Sequence, residues 1–290
     1  MKIAIIGAGA AGFMAAITAK ESNPNTHIII FEKTNKALSK VKISGGGRCN
    51  VTNATFGISQ LAKNYPRGGK ELKKSFDLFN TNHTVRWFEN RGVNLKTEVD
   101  SRIFPSSNTS QTIVDLFLKT ANKSNIRVSF SSRVNAIEPL HNGLNLVVNN
   151  NTLFFDKVII ATGGSPKVSG LDWLKALDLK IIPPVPSLFT FNMPNNAITE
   201  LMGVSVSNVI TSIKGISLKQ SGSLLITHWG MSGPAILKLS AWGAKELANL
   251  KYNFTVQINW LSINEEELRF RFKSLEKNKK LIFNFNPFKL

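Results

Sequence analysis

Cysteine occurs once in this 290-residue chain, at Cys49. A lone thiol excludes an internal disulfide and a Cys-x-x-Cys redox pair. Acidic residues are also few, 18 against 36 lysines and arginines, which leaves a formal net charge of +18. Such a surplus suits a polyanion. No long basic block concentrates it, however, and the short clusters are Lys70–Lys74 and Lys273–Lys280. Scattered positive charge also serves solubility and draws anionic cofactors or substrates. No membrane-spanning apolar run is present. The first apolar stretch follows Lys2 but is interrupted by three glycines, which makes a poor signal-peptide core. The expectations are therefore the cytoplasm, no membrane and no metal site. With 42% hydrophobic and 19% charged residues the chain is globular, long enough for one large domain or two smaller ones.

What is there begins with one unit. Lys2–Ile6 is an apolar strand, and Gly7-Ala8-Gly9-Ala10-Ala11-Gly12 follows at once. Small apolar residues from Ala10 to Ala19 read as a helix, and His27–Phe31 is a second strand ending on Glu32. This is Gly-x-Gly-x-x-Gly in its required setting: strand before, helix after, acidic residue about 20 positions on. Gly7 permits the tight turn, Gly9 lets a pyrophosphate reach the backbone, and Gly12 lets helix and strand pack closely. The helix start offers free N–H groups and partial positive charge to phosphates. Glu32 is suited to accept hydrogen bonds from ribose hydroxyls and to repel a 2′-phosphate, which favours FAD or NAD over NADP.

A polar, basic link, Lys33–Lys42, leads to Ile43-Ser44-Gly45-Gly46-Gly47-Arg48-Cys49-Asn50-Val51-Thr52-Asn53. Three successive glycines belong to neither helix nor strand. They form a backbone able to hug a ligand and turn N–H groups toward an anion. Arg48 carries a fork suited to phosphate, and Cys49 reads as a small buried side chain rather than a nucleophile.

The Rossmann start followed by SGGGRCNVTN resembles the BaiN-like family of FAD-dependent oxidoreductases, a branch of the two-dinucleotide-fold flavoproteins. Arg102-Ile103-Phe104-Pro105, Ala161-Thr162-Gly163-Gly164 and the Thr227–Pro234 run THWGMSGP extend the likeness over essentially the whole chain. The resemblance implies an α/β fold. It comprises a Rossmann-like FAD-binding domain with a parallel sheet, and an inserted β-rich, barrel-like second domain. It implies that FAD is held by Gly7, Gly9, Ala10, Ala11, Gly12, Glu32, Lys33, Lys42, Ser44, Gly45, Gly46, Gly47, Arg48, Cys49 and Asn50. Val134, beside the adenine, and the turn of Ala161, Thr162, Gly163 and Gly164 complete that set. It makes Arg102 an active-site cation, although Ser101 stands where the family usually has glycine, and it makes His228 the proton-donor candidate. On the residues alone, Arg102 also reads as a mobile surface charge, and His228 as a structural histidine.

The remaining elements are expected as follows. Lys70–Arg91 has helical spacing at Leu72, Phe76, Phe79, Val85, Trp87 and Phe88, for one or two helices covering the sheet, with His83 exposed. Val99–Pro105 is a turn. Thr109–Ser124 is a helix with Ile113, Val114, Phe117 and Leu118 inward. Arg127–Phe130, Val134–Pro139 and Leu144–Val148 form a small antiparallel insertion, about 126–150, and Phe155–Ala161 is a buried strand. Pro183–Pro186 marks a linker, giving domains 1–185 and 186–290. Beyond it short strands alternate with turns, and Ser232 caps a helix running Ala235–Leu247 with proline in its first turn. Glu265–Lys279 is a charged helix and Leu281–Leu290 a tail. Relatives of this kind continue with a Gly-rich strand and helix that return to the first domain, so the chain is expected to be truncated.

Together these readings give an FAD-dependent oxidoreductase. It would reduce a conjugated carbonyl-type small molecule by flavin-mediated hydride transfer. One Gly-x-Gly-x-x-Gly leaves no dedicated nicotinamide domain, so NAD(P)H would act as a transient reductant. The alternatives are a flavoprotein acting on RNA, or a truncated non-catalytic remnant. Oligomeric state has no signature.

Overall fold

The computed structural model describes residues 1–275, and these divide into two compact units at Pro184/Val185. In the first unit, β1 (Lys2–Ile6), α1 (Ala10–Ser22) and β2 (His27–Phe31) form a βαβ crossover. Then come α2 (Ser39–Ile43), β3 (Thr52–Asn53), α3 (Ile58–Lys63), α4 (Gly69–Leu78), α5 (Thr81–Glu89), β4 (Leu95–Thr97), β5 (Arg102–Pro105), α6 (Gln111–Lys123) and β6 (Arg127–Ser129). A meander of β7 (Val134–Leu140), β8 (Gly143–Val148) and β9 (Asn151–Phe155) precedes β10 (Lys157–Ile160).

Among the described residues, β10-β1-β2-β6 is a parallel sheet, β3-β5-β4 an antiparallel one, and β7-β8-β9 a third. Ile3 to Ile6 are all buried in β1. A strand covered on both faces reads as a continuous apolar run rather than an alternating one. On one face α1 applies Gly12, Phe13, Ala16 and Ile17, and Phe13 meets Phe117 of α6 with ring centroids 5.8 Å apart. Each such fully buried Phe or Ile stabilises the fold by about 1.5–3 kcal/mol. On the other face Ala4, Ile6 and Phe31 pack with Ile137, Leu146 and Phe155 of the meander.

Several expectations need correction. Arg127–Ser129 does not belong to the antiparallel insertion; it pairs parallel with β2 and extends the main sheet. The third strand of the insertion is β9 instead. Asn149 and Asn150, with φ of 46° and 70°, form a two-residue turn of the mirror-image type that closes hairpins. The run Phe155–Ala161 breaks at Asp156, whose side chain accepts from the Lys2 N–H at 2.6 Å. Its second half, β10, is a sheet edge with Ile159 and Ile160 exposed, not a buried strand. Arg102–Pro105 is a strand rather than a turn, because β4 and β3 flank it.

Smaller departures concern helices. Lys70–Arg91 gives two, α4 and α5. His83 is half-buried, because its Nδ1 accepts the Asn80 N–H at 3.2 Å and completes a reciprocal cap on α5. In α6, Leu118 faces outward and Ala121 inward.

The second unit is an antiparallel sheet, ordered β11 (Phe191–Asn192), β14 (Gly230–Ser232), β13 (Lys219–Thr227), β12 (Ser205–Ile213), β15 (Val256–Asn259). The β-rich, barrel-like expectation holds in this form: a curled half-barrel, open between β11 and β15. The rings of Phe191 and Phe254 still meet at 5.0 Å across that gap. Inside lies α7 (Pro234–Trp242), with Ala235, Ile236 and Leu239 fully buried. Its buried Ser240 hydroxyl accepts the Phe189 N–H at 2.8 Å and donates to the Leu237 carbonyl at 2.9 Å. The helix expected to run to Leu247 ends at Trp242, and α8 (Ala244–Asn249) follows Gly243. Ser232 lies in β14 and does not cap α7; Gly233 occupies the cap with φ of 95°. The last described helix, α9 (Glu265–Leu275), carries exposed Glu265–Arg269 and Glu267–Arg271 pairs one turn apart. The rest of the predicted 265–279 helix and the 281–290 tail lie outside the described residues.

Candidate dinucleotide site

The carboxyl ends of β1, β2 and β10 come together around the first glycine turn. The Gly7 N–H donates to the Phe31 carbonyl, and the Ala161 N–H to the Ile6 carbonyl, both at 2.8 Å. Gly7 has φ of 109°, and a Cβ there would stand 2.5 Å from the Ala161 carbonyl oxygen. At Gly12 a Cβ would overlap the Gly7 carbonyl oxygen. Above Gly9 no atom lies within 4 Å of the equivalent position. Two glycines therefore bring helix and strands together, and the third leaves a cradle open.

Over that cradle stands the N-terminus of the 13-residue α1. Gly9 caps it with extended backbone, no side chain fills the cap, and the first turn holds no acidic residue. Ala10 and Ala11 are exposed. Their N–H groups belong to the first turn of a helix, where no intrahelical acceptor exists, so they and the helix dipole face an incoming anion.

Glu32 points into the same turn. Its Oε2 accepts the Ala8 N–H at 3.1 Å, and its Oε1 accepts the Thr34 N–H and hydroxyl, both at 2.9 Å. A carboxylate has about four acceptor sites, so capacity for a hydroxyl remains. Backbone bonds from Glu32 N–H to Ser129 and from Ser132 N–H to Glu32, each 2.8 Å, place the β6–β7 connection alongside. Val134 packs against the core cluster that includes Phe31. Lys33 is exposed.

The second glycine stretch is tied to the first. Leu38, 1% exposed with φ of 55°, donates its N–H to the Ala8 carbonyl at 2.8 Å. From there α2 leads into Ser44–Gly47, a tight turn with Gly45 and Gly46 in left-handed backbone. The Ser110 hydroxyl donates to the Lys42 carbonyl at 2.6 Å, and the Ser110 N–H to the Gly47 carbonyl at 2.8 Å. The Lys42 side chain itself is exposed. Phe104 is the floor: a Cβ on Gly45 would lie 2.9 Å from its ring. Gly46 and Gly47 face open space.

Arg48 and Arg102 both lie over Phe104, with guanidinium carbons 4.1 and 5.3 Å from the ring centre. Arg48 Nη1 contacts Glu98 Oε1 at 2.5 Å, and Arg102 contacts Asp100 at 2.7 Å and Glu98 at 3.7 Å. Arg48 is half-buried, and Arg102, though paired, remains exposed. The Arg102 N–H, and then its guanidinium, hold the Asp100 carboxyl below the usual carboxylate range. Cys49 is buried, which raises its thiol pKa, partly offset by a hydrogen bond with Ser44. The Asn50 amide, oriented with nitrogen toward the carbonyls, donates to Thr52 at 2.8 Å. After β10, Thr162, Gly163 and Gly164 form an exposed turn against Gly7.

Glu98 and Ser110 were not legible as site residues, and Phe104 was only part of a quoted motif. The sole advance signal for Glu98 is a carboxylate four positions before Arg102. His228 lies in the other unit. With Trp229 it makes the exposed turn between β13 and β14, the two rings edge to face at 4.3 Å. The preceding Thr227 hydroxyl is buried without a partner among the described residues.

A parallel sheet whose first crossover presents bare amides and an acidic strand end defines a Rossmann-type dinucleotide-binding protein. Residues 1–233 match the HI0933-like protein Rossmann domain, and residues 185–285 the HI0933-like protein barrel and H2TH domain. The chain belongs to the HI0933-like family, and the resemblance read from SGGGRCNVTN is borne out. It is 29% identical over 253 residues to the ribosomal RNA dihydrouridine synthase of Escherichia coli (strain K12), covering 82% of this chain and 60% of that one. It is 25% identical over 254 residues to the 3-dehydro-bile acid delta(4,6)-reductase of Clostridium scindens, covering 85% and 61%. The chain thus spans about 60% of the length of these curated relatives. Among the described residues no helix is long and apolar enough to cross a membrane.

Proposed function

We propose that the protein is an FAD-dependent oxidoreductase that saturates a carbon–carbon double bond conjugated to a carbonyl. The observation that carries this reading is the open cradle at Gly9, with uncapped α1 on one side and the Glu32 carboxylate on the other. A diphosphate fits the free N–H groups of Ala10 and Ala11, and a ribose hydroxyl fits Glu32. FAD, when bound, supplies the hydride chemistry.

The chain's own contribution is to orient and to stabilise charge. Phe104 and Ser110 fix the Ser44–Gly47 turn, whose exposed Gly46 and Gly47 let a ligand lie against backbone. Arg102, steadied by Asp100 and Glu98, stabilises a carbonyl oxygen as charge develops. Forming dihydrouridine and reducing a 3-dehydro-delta(4,6) system belong to one reaction class, hydrogen addition to an alkene conjugated with a carbonyl. NAD(P)H is the transient electron source in this reading, since the chain carries a single Gly-x-Gly-x-x-Gly. A second reading places the alkene in RNA, favoured by the +18 charge and by the name of the Escherichia coli relative.

The test is spectroscopic. Purified protein should be yellow, or take up one FAD per chain on incubation and bleach when a reductant is added. A folded, colourless protein that takes up no FAD ends the proposal.

A further inference from the structure

The residues that grip the dinucleotide in the proposed reading are backbone amides and a carboxylate, and none of them neutralises a diphosphate. A cation does stand in the crevice. A Cβ built on Gly163, where φ is 75°, would lie 3.4 Å from the Nζ of Lys40. The Lys40 ammonium therefore lies over the turn that follows β10, the same turn whose Ala161 carbonyl abuts Gly7. This placement follows from the fold. Leu38 is buried, and its N–H is bonded to the Ala8 carbonyl, inside the first glycine turn. Two residues later the chain has entered α2, and the Lys40 side chain extends from that anchor toward the end of β10. Among the described residues Lys40 forms no ion pair, whereas Arg48 and Arg102 are both paired with carboxylates. The crevice is thus polarised, with Glu32 by the β2 end and an uncommitted ammonium by the β10 end.

We infer that Lys40 is the positioning cation for the diphosphate of the bound dinucleotide. The inference rests on the FAD reading above. It assigns to Lys40 the phosphate-facing role that the sequence pattern gave to Arg48. Arg48 is occupied by Glu98. Coulomb attraction across an open crevice is screened by salt, with a Debye length of about 10 Å at 0.1 M. The Lys40 contribution is accordingly a salt-sensitive part of FAD affinity.

The experiment is an FAD titration of the full chain and three variants, Lys40→Gln, Lys40→Arg and Lys119→Gln, at 50 mM and 500 mM KCl, with thermal unfolding of each as a folding control. Lys119 lies exposed on α6 and matches the charge change. Lys40→Gln should weaken FAD binding about tenfold at low salt and about threefold or less at high salt. Lys40→Arg and Lys119→Gln should stay within about twofold of the parent chain. A Lys40→Gln protein that binds FAD within twofold of the parent at 50 mM KCl overturns the assignment and leaves the flavin reading intact. A Lys40→Gln loss that salt does not diminish also overturns it. A parent chain that binds no FAD removes both.

Discussion

Arg48 is committed before any ligand arrives. Its guanidinium is held by Glu98 and rests on Phe104, the ring that also lies against Gly45. Next to it, Cys49 has φ of 62°, uncommon for a residue with a Cβ, and is 6% exposed. Burial raises its thiol pKa above the ordinary 9.0. A raised value favours the neutral form in the folded state. The stability linked to this group is therefore fully present below pH 9 and is lost as pH rises through the folded value. Thiolate is the reactive species. Iodoacetamide at pH 8 should label Cys49 in the native chain at least about tenfold more slowly than in denaturant. Equal rates would show an accessible thiolate and contradict the buried placement. Much at this scale was legible in advance. Gly7, Gly12 and Glu32 stand where a local pattern requires them, because the geometry of a strand–turn–helix unit is set within about thirty residues. The Arg48–Glu98 pair was not, since it joins residues 50 positions apart.

At the scale of elements, β5 shows how a short strand can organise a site. It was read as a turn because four residues with an arginine and a proline carry little strand signal by themselves. Pairing with β3 and β4 makes it a strand and sets Phe104, fully buried, under Gly45 and both arginines. Truncating that ring in Phe104→Ala should cost about 3–5 kcal/mol in the denaturant transition of the first unit, and FAD uptake should fall with it. A loss under about 1 kcal/mol would mean that the ring is not the floor it is taken for. The β6 reassignment has the same origin. Arg127–Ser129 is three residues long, and whether such a run joins a parallel or an antiparallel neighbour depends on partners remote in sequence. Local chemistry did decide the Asn149-Asn150 turn, whose residue types tolerate positive φ.

Across the molecule, the charge of +18 is the property that separates the two substrate readings. If RNA is the carrier of the reduced base, binding should follow counter-ion release. With about five phosphates neutralised, affinity for single-stranded RNA should drop about 100-fold between 50 and 200 mM salt. Fluorescence anisotropy with a labelled uridine-containing oligonucleotide measures this directly. No binding at 50 mM salt would leave the small-molecule reading alone. The exposed Ile159 and Ile160 on β10 are the other feature of this scale. Among the described residues they flank an unpaired sheet edge, which an apolar sequence read as buried on both sides did not foretell.

Sequence by itself determined the crossover, the position of the bare amides, the acidic strand end and the family, because each rests on residues that neighbour one another along the chain. Tertiary structure decided which charges remain available. A carboxylate 50 positions away captures Arg48, whereas Lys40, outside every motif, is carried to the end of β10 by the anchoring of Leu38 on Ala8. Coulomb pairing depends on distance in space, and that distance is fixed only when the chain has folded.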